Sequence, residues 1–121
     1  MTEFNRYEID YDTQSFICEW DFEGIKRACS MGIMEQTSDS ISLVKTAFFC
    51  SLLKHHPFAN KRIADEFVDK VIQDEEYGLD YFSPIVDDFL QGYTRLQGGK
   101  SKKKKILTPV NAPVVNIPKK N

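Results

Sequence analysis

The sequence predicts an α+β fold that is mostly α: an N-terminal β-hairpin, a bundle of about four helices and a disordered basic C-terminal tail. Three observations support this prediction. Apolar residues alternate with polar ones over roughly the first 22 positions, and they recur at helical spacing afterwards. Residues 98–121 carry seven lysines, several prolines and no acid. We therefore divide the chain into a single hairpin-plus-helices domain, residues 1–97, and a flexible basic, proline-containing tail, residues 98–121.

Two short runs near the N-terminus have the period of two that is typical of half-buried strands. The stretch "YDTQS" between them has the residue types that favour a turn. An isolated hairpin is only marginally stable in water, so its apolar face is expected to pack against the helices. The single tryptophan, Trp20, is predicted to lie in the core rather than to bind a ligand. The alternating apolar residues are Tyr7, Ile9 and Tyr11 in the first run and Phe16, Cys18, Trp20 and Phe22 in the second.

The first two helices are predicted from capping residues and from the distribution of apolar side chains. Asp21 is suited to cap the first helix, and Gly32 to end it in the left-handed conformation. Ser38 or Asp39 is suited to cap the second helix, residues 40–55, which is apolar around most of its circumference and is therefore expected to be central. The apolar positions of the first helix are Phe22, Ile25, Ala28 and Cys29.

The third and fourth helices have clear amphipathic patterns. Asn60 is predicted to cap the third helix, which continues to about Tyr77 before Gly78. Ser83 is predicted to cap the fourth, which runs to Leu96. The apolar stripes are Ile63, Ala64, Phe67, Val68, Val71 and Ile72 in the third helix and Ile85, Val86, Phe89, Leu90, Tyr93 and Leu96 in the fourth.

The net charge of −2 conceals an acidic body and a basic tail. Residues 1–97 hold all 18 acidic and nine of the 16 basic residues, a net charge of −9, whereas the tail has a net charge of +7. An acidic body repels phosphate, which makes a nucleic-acid partner unlikely for this domain. The candidate partner-binding residues are therefore in the tail: Lys100, Lys102, Lys103, Lys104 and Lys105.

No catalytic, cofactor-binding or metal-binding motif is found in the sequence. His55 and His56 are adjacent, so they point in different directions on a helix, and neither has a cysteine or carboxylate at the spacing of a metal site. They are interpreted as polar residues at a helix C-terminus. We therefore expect a protein that is not an enzyme, with no cofactor and no metal.

The remaining polar clusters and the cysteines have structural interpretations. The clusters 74–76 and 87–88 are predicted to be solvated, the first near the end of a helix, with a binding face for a basic partner as the alternative. Cys18, Cys29 and Cys50 are predicted to be buried, reduced thiols. The polar N-terminus predicts no signal peptide, and the longest apolar-rich stretch, "ISLVKTAFFCSLL", is too short to span a membrane. A cytoplasmic protein is expected.

The order of elements resembles one known family. A hairpin leads into "DFEGIKRACSMGI", an apolar helix ends in "FFCSLLKHHPFANKRIADEFVDKVI", and the last helix carries "IVDDFLQGYTRL". Over about residues 4–97 the chain resembles the tail assembly chaperones of long-tailed bacteriophages and prophages. This resemblance implies a non-enzymatic protein of the host cytoplasm that binds the tape measure protein, promotes tail tube assembly and is absent from the mature particle. It also implies possible contact with the tail tube protein.

The resemblance suggests a role for the lysine run as well. Members of this family tend to make a second, longer product when the ribosome shifts frame near the end of the shorter frame. If Lys102–Lys105 are encoded by AAA codons, they form a run of adenines that suits such a shift. Residues 106–121 would then be present only in the shorter product.

Several alternatives remain open from the sequence. The tail can be a solubilising segment, or the basic arm of a small nucleic-acid-associated regulator. The acidic body can display its charge to a basic partner, and His55 or His56 can belong to an enzyme. For a chaperone, the candidate client surfaces are the faces between helix 60–77 and helix 83–96 and the outer face of the hairpin. Self-association is expected to be weak or client-dependent.

Overall fold

The computed structural model describes residues 4–97 and has the predicted fold class. A two-stranded antiparallel hairpin is followed by four α-helices, with two short 3₁₀ helices between them. Residues 98–121, predicted to be a flexible tail, lie outside the described residues. The elements are β1 (Arg6–Tyr11), β2 (Gln14–Glu19), α1 (Phe22–Ser30), a first 3₁₀ helix (Ile33–Gln36), α2 (Ser40–Leu52), α3 (Lys61–Gln73), a second 3₁₀ helix (Leu79–Phe82) and α4 (Ser83–Leu96).

The hairpin has a two-residue turn and a regular register. Tyr11 pairs with Gln14 beside the turn, and Arg6 pairs with Glu19 at the open end. Asp12 turns the chain with a φ of 59°, in the left-handed region that aspartate tolerates better than most residues. Ile9 pairs with Phe16, so both side chains project from the same face, which packs against the helices. The predicted alternation is therefore confirmed within β1 and β2, but β2 ends at Glu19, before Trp20 and Phe22 of the predicted second run.

Helix α2 is the centre of the core, as its apolar circumference predicts. It packs against α1, α3, α4 and β2. The Phe48 ring is fully buried, and its centroid lies 5.5 Å from that of Phe16 and 5.4 Å from those of Phe67 and Phe82. One side chain of α2 thus joins the hairpin, α3 and the second 3₁₀ helix.

Four of the predicted helix boundaries, three starts and one end, are confirmed by the backbone and capping geometry. The Asp21 carboxylate accepts a hydrogen bond from the Gly24 N–H at 2.7 Å, and Gly32, with a φ of 87°, follows the end of α1. Asp39, one of the two residues proposed for the role, caps α2. The Asn60 side chain accepts hydrogen bonds from the first turn of α3. Local side-chain chemistry therefore determines where these helices begin.

Other boundaries differ from the prediction. Helix α2 ends at Leu52 rather than near His55, and α3 ends at Gln73 rather than near Tyr77. Ser83 is the first residue of α4 and not its cap, because the second 3₁₀ helix runs directly into α4 and leaves Phe82 in the cap position. No helix within residues 4–97 combines the length and the hydropathy needed to cross a bilayer.

Two predictions about helix faces also need correction. Ile63, assigned to the buried stripe of α3, is 43% exposed. In addition, α3 and α4 make their main contacts with α2 and with the second 3₁₀ helix rather than with each other. The client surface expected between α3 and α4 is therefore not formed by direct packing of these two helices.

Candidate functional site

A wide groove lies between the β2–α1 junction and the C-terminal half of α4. We call it the α1–α4 groove. Its volume is about 840 Å³. The two elements that form its walls are far apart in the sequence: Ile25 of one wall precedes Gly92 of the other by 67 positions. Its lining residues are Phe4, Glu19, Trp20, Asp21, Phe22, Ile25, Lys54, Gly92, Arg95 and Leu96.

The floor of the α1–α4 groove is made by buried apolar side chains and by a glycine. Trp20 and Ile25 are both buried, and the Trp20 indole N–H donates a hydrogen bond to the Ile85 carbonyl oxygen at 2.8 Å. A Cβ atom at Gly92 would lie 2.5 Å from Ile25 Cδ1 and 2.7 Å from a ring carbon of Phe4. Gly92 therefore allows α4 to approach α1 and Phe4 closely.

The rim of the groove exposes large apolar side chains. Phe22 is 56% exposed and Leu96 is 38% exposed. The sequence assigned Phe22 both to the second strand and to the apolar stripe of α1, and the structure corrects both assignments. Because Asp21 caps α1, Phe22 is the first residue of this helix, and its side chain points to solvent while Ile25 and Ala28 face the core. The groove thus presents an apolar surface without a partner among residues 4–97.

Charged side chains also line the groove. The Glu19 carboxylate accepts hydrogen bonds from His55 Nε2 at 2.8 Å and from Lys54 Nζ at 2.9 Å. The hydrogen bond from His55, together with that from Lys54, holds the pKa of the Glu19 carboxyl below its ordinary value. Asp21 and Arg95 add one charge of each sign. Side chains of both charge signs therefore border the apolar surface of the groove.

The two histidines attach the hairpin to the turn after α2. His56 Nε2 accepts a hydrogen bond from the Ile17 backbone N–H at 2.9 Å, and this contact requires the neutral ring. His55 bonds to Glu19, two residues further along β2. Both histidines lie in the turn after α2, which ends at Leu52, so the prediction that they lie at a helix C-terminus is wrong, and their role in holding β2 was missed. No local pattern reveals it, since the partner residues are 36 and 39 positions away.

Two half-buried tyrosines connect the hairpin to the acidic clusters. The Tyr11 hydroxyl donates to Asp74 Oδ2 at 2.7 Å, and the Tyr7 hydroxyl donates to Asp88 Oδ2 at 2.9 Å. Asp74 also accepts from the Glu76 N–H, and these contacts lower the pKa of its carboxyl. The prediction that cluster 74–76 lies within a helix is wrong, because Asp74 adopts an extended conformation after Gln73. Asp74 and the buried Asp88 are structural contacts, not a solvated face.

The cysteines are not arranged for nucleophilic chemistry. All three are free thiols. Cys18 and Cys50 are buried as predicted, and burial raises the pKa of each thiol to about 12. Cys29 is only half-buried, so the prediction of three buried thiols is wrong for this residue. Thiols with raised pKa values are poor nucleophiles at neutral pH.

The last two candidate sites are a metal site and the basic tail. Among residues 4–97, no group of three or more histidine, cysteine, aspartate or glutamate side chains is placed to hold a metal ion. The predicted partner-binding residues of the tail lie outside the described residues: Lys100, Lys102, Lys103, Lys104 and Lys105.

Comparison with protein-family models, with curated proteins and with solved structures finds no significant match for this chain.

Proposed function

We propose that this protein is a tail assembly chaperone of a long-tailed bacteriophage or prophage. It binds helical segments of the tape measure protein in the host cytoplasm, keeps this long protein soluble and promotes tail tube assembly around it. The observation that supports the proposal best is the α1–α4 groove, whose rim exposes Phe22 and Leu96.

The groove has the properties expected of a site for an amphipathic helix. Such sites accept the apolar face of a helix through side chains at positions i, i+3 or i+4, and i+7. The floor of Trp20, Ile25 and Gly92 supplies the apolar surface, and Lys54 and Arg95 supply charge for the polar edge of the client helix. A tape measure protein offers many helical segments of this kind. Many weak contacts along one client give avidity without tight binding at any single groove.

The order of elements described above is the second support for the proposal. The hairpin followed directly by a short capped helix, an apolar central helix and two amphipathic helices is the arrangement on which the resemblance is based. The residues that carry the resemblance, 21–32 and 47–72, include part of the β2–α1 wall of the groove, and the other wall belongs to the last helix of the same element order.

The proposal is tested by co-expression with the tape measure protein of the same genome. The wild-type chain is expected to keep this client soluble and to purify with it. Phe22→Ser and Leu96→Ser are each expected to weaken the complex about tenfold, because each removes an exposed apolar anchor from the rim. Phe58→Ser is the matched control, since Phe58 is 95% exposed but does not line the groove. Equal client binding by all three variants would exclude the groove as the site.

The lysine run supports a second candidate, a nucleic-acid-associated regulator with a basic arm. This candidate predicts DNA or RNA binding that falls steeply with salt and is lost when Lys102–Lys105 are replaced by glutamine. The chaperone proposal predicts no such binding. A filter or fluorescence-anisotropy titration at low and at physiological salt separates the two.

A further inference from the structure

The outer edge of β1 presents backbone groups that have no partner in the hairpin. The Ile17 N–H bonds to His56 rather than to β1, so Ile17 belongs to a non-hydrogen-bonded pair with Glu8. In an antiparallel ladder such pairs alternate with hydrogen-bonded pairs. The N–H and C=O groups of Arg6, Glu8 and Asp10 therefore point away from β2. Among residues 4–97, no backbone hydrogen bond reaches these groups, which we call the β1 edge.

The two outer edges of the hairpin differ. On β2, the His56 ring covers the outward N–H of Ile17. On β1, a shallow groove of about 290 Å³ lies next to the strand and is lined on its far side by Tyr81, Pro84 and Ile85. This space leaves the β1 edge accessible to an additional strand and provides an apolar wall for its side chains.

The charge around the β1 edge is mainly acidic. Glu8 and Asp10 are exposed on the outer face of the strand, and Asp12 in the turn is paired with Lys70 of α3 at 3.5 Å. Arg6 is the one basic residue of β1, and its contact with Glu8 is a long 3.7 Å between two well-exposed side chains. An extended segment with lysines and a few apolar side chains complements both the acids and the apolar wall.

We propose that residues 102–108 of the same chain, "KKKKILT", pair with the β1 edge as a third strand. The seven residues contain no proline, and Pro109 follows directly, where the pairing would stop. In an extended segment the lysines lie beside Glu8 and Asp10, and Ile106 or Leu107 reaches the wall of Tyr81, Pro84 and Ile85. In this arrangement the basic tail binds the acidic body within the same chain.

The linker is long enough for this pairing. The Phe4 ring lies against Gly92, so the chain entering β1 is close to the last turns of α4. From Gly92 to Gln97 the helix advances by about 7.5 Å. Residues 98–102 then span up to about 17 Å when extended. The pair Gly98–Gly99 allows the chain to reverse direction after α4. A linker of this length is therefore sufficient for the segment to reach the Arg6 end of the β1 edge.

Pairing within one chain has a physical consequence for the protein. A free edge strand is a template for association with other chains, and covering it with a charged segment prevents this. The local concentration of a tethered segment exceeds that of a second copy at ordinary protein concentrations. The proposal does not depend on a client, so its test uses the full-length chain alone and its failure would leave the proposed function untouched.

Amide hydrogen exchange, measured by NMR on the full-length chain, tests the pairing. The reporter is the N–H of Glu8, and the internal reference is the N–H of Ile9, which faces β2. The variant carries Lys104→Pro and Ile106→Pro, which remove two donors within residues 102–108. Unchanged exchange at Ile9 shows that the hairpin of the variant is still paired. Exchange at Glu8 is expected to be about tenfold faster in the variant, the loss of one hydrogen bond, and unchanged at Ile9.

The matched control carries Ala112→Pro and Asn116→Pro, two prolines in the same tail but outside the pairing segment. It is expected to exchange like the wild type. Equal Glu8 exchange in the wild type and in the Lys104→Pro/Ile106→Pro variant would overturn the proposal. So would protection of Glu8 that increases with protein concentration, since this result would assign the added strand to a second copy.

Discussion

Replacing His56 by leucine tests how the hairpin is attached to the helical core. The His56 ring accepts the Ile17 N–H at 2.9 Å, and leucine fills a similar volume without an acceptor. An unsatisfied buried donor costs about 1–3 kcal/mol. Because Ile17 is only half-buried, water reaches the freed N–H in part, and we expect the low end of this range, about 1–2 kcal/mol. For a domain of this size, that loss lowers Tm by about 4–16 °C.

Urea denaturation followed by the fluorescence of Trp20, the single tryptophan, measures the change in the free energy of unfolding. His56→Gln is expected to recover part of the loss, because its amide oxygen can accept the same hydrogen bond. His55→Leu is the control, since it removes a partly exposed side-chain contact with Glu19 and leaves no backbone donor unpaired; its cost is about 0.2–1 kcal/mol. An equally stable His56→Leu variant with unchanged exchange of the Ile17 amide would refute the reasoning.

Three further predictions concern Tyr11, Gly92 and the codons of the lysine run. The hydrogen bond to Asp74 raises the pKa of Tyr11 to about 12, so the contribution of this hydrogen bond to stability is complete below about pH 10 and is lost as the pH rises towards 12. Tyr11→Phe should therefore flatten the alkaline part of a curve of unfolding free energy against pH. Gly92→Ala should lower the free energy of unfolding by about 1–3 kcal/mol despite the better helix propensity of alanine, because its Cβ overlaps the fully buried Ile25; a higher Tm would contradict the overlap. Sequencing the codons of Lys102–Lys105 should reveal an adenine run followed by an open frame shifted by one, whereas AAG-interrupted codons would remove the recoding hypothesis.

The elements that the sequence predicts well are those determined by neighbouring residues. The Asn60 cap and the apolar stripe that follows it identify α3, and the alternation around Ile9 and Phe16 identifies the hairpin. Residues close in the chain carry all of the necessary information in both cases. The central place of α2 follows from the same kind of pattern, because a helix that is apolar on most sides must be covered on most sides.

The parts that the sequence does not predict depend on distant partners. Helix α3 stops at Gln73 because Asp74 turns its carboxylate to the Glu76 N–H and to the Tyr11 hydroxyl, a contact across 63 positions. Phe22 fits the apolar spacing of α1, but spacing alone does not say which members of a stripe remain uncovered at a helix end. The sequence does not predict the α1–α4 groove for the same reason, because the groove depends on the close approach of Gly92 to Ile25 and Phe4.

The way in which the hairpin is attached determines which of its surfaces can act. Its inner face is held through Tyr7 to α4 and through Tyr11 to the end of α3, and the outer edge of β2 is held by His56. These contacts leave the β1 edge as the accessible side of the sheet. The α1–α4 groove has a different lining, which shares no residue with the groove beside β1. A client helix in the α1–α4 groove and a strand at the β1 edge would therefore contact different side chains. In that arrangement, changes in residues 102–108 should alter self-association while leaving client binding intact.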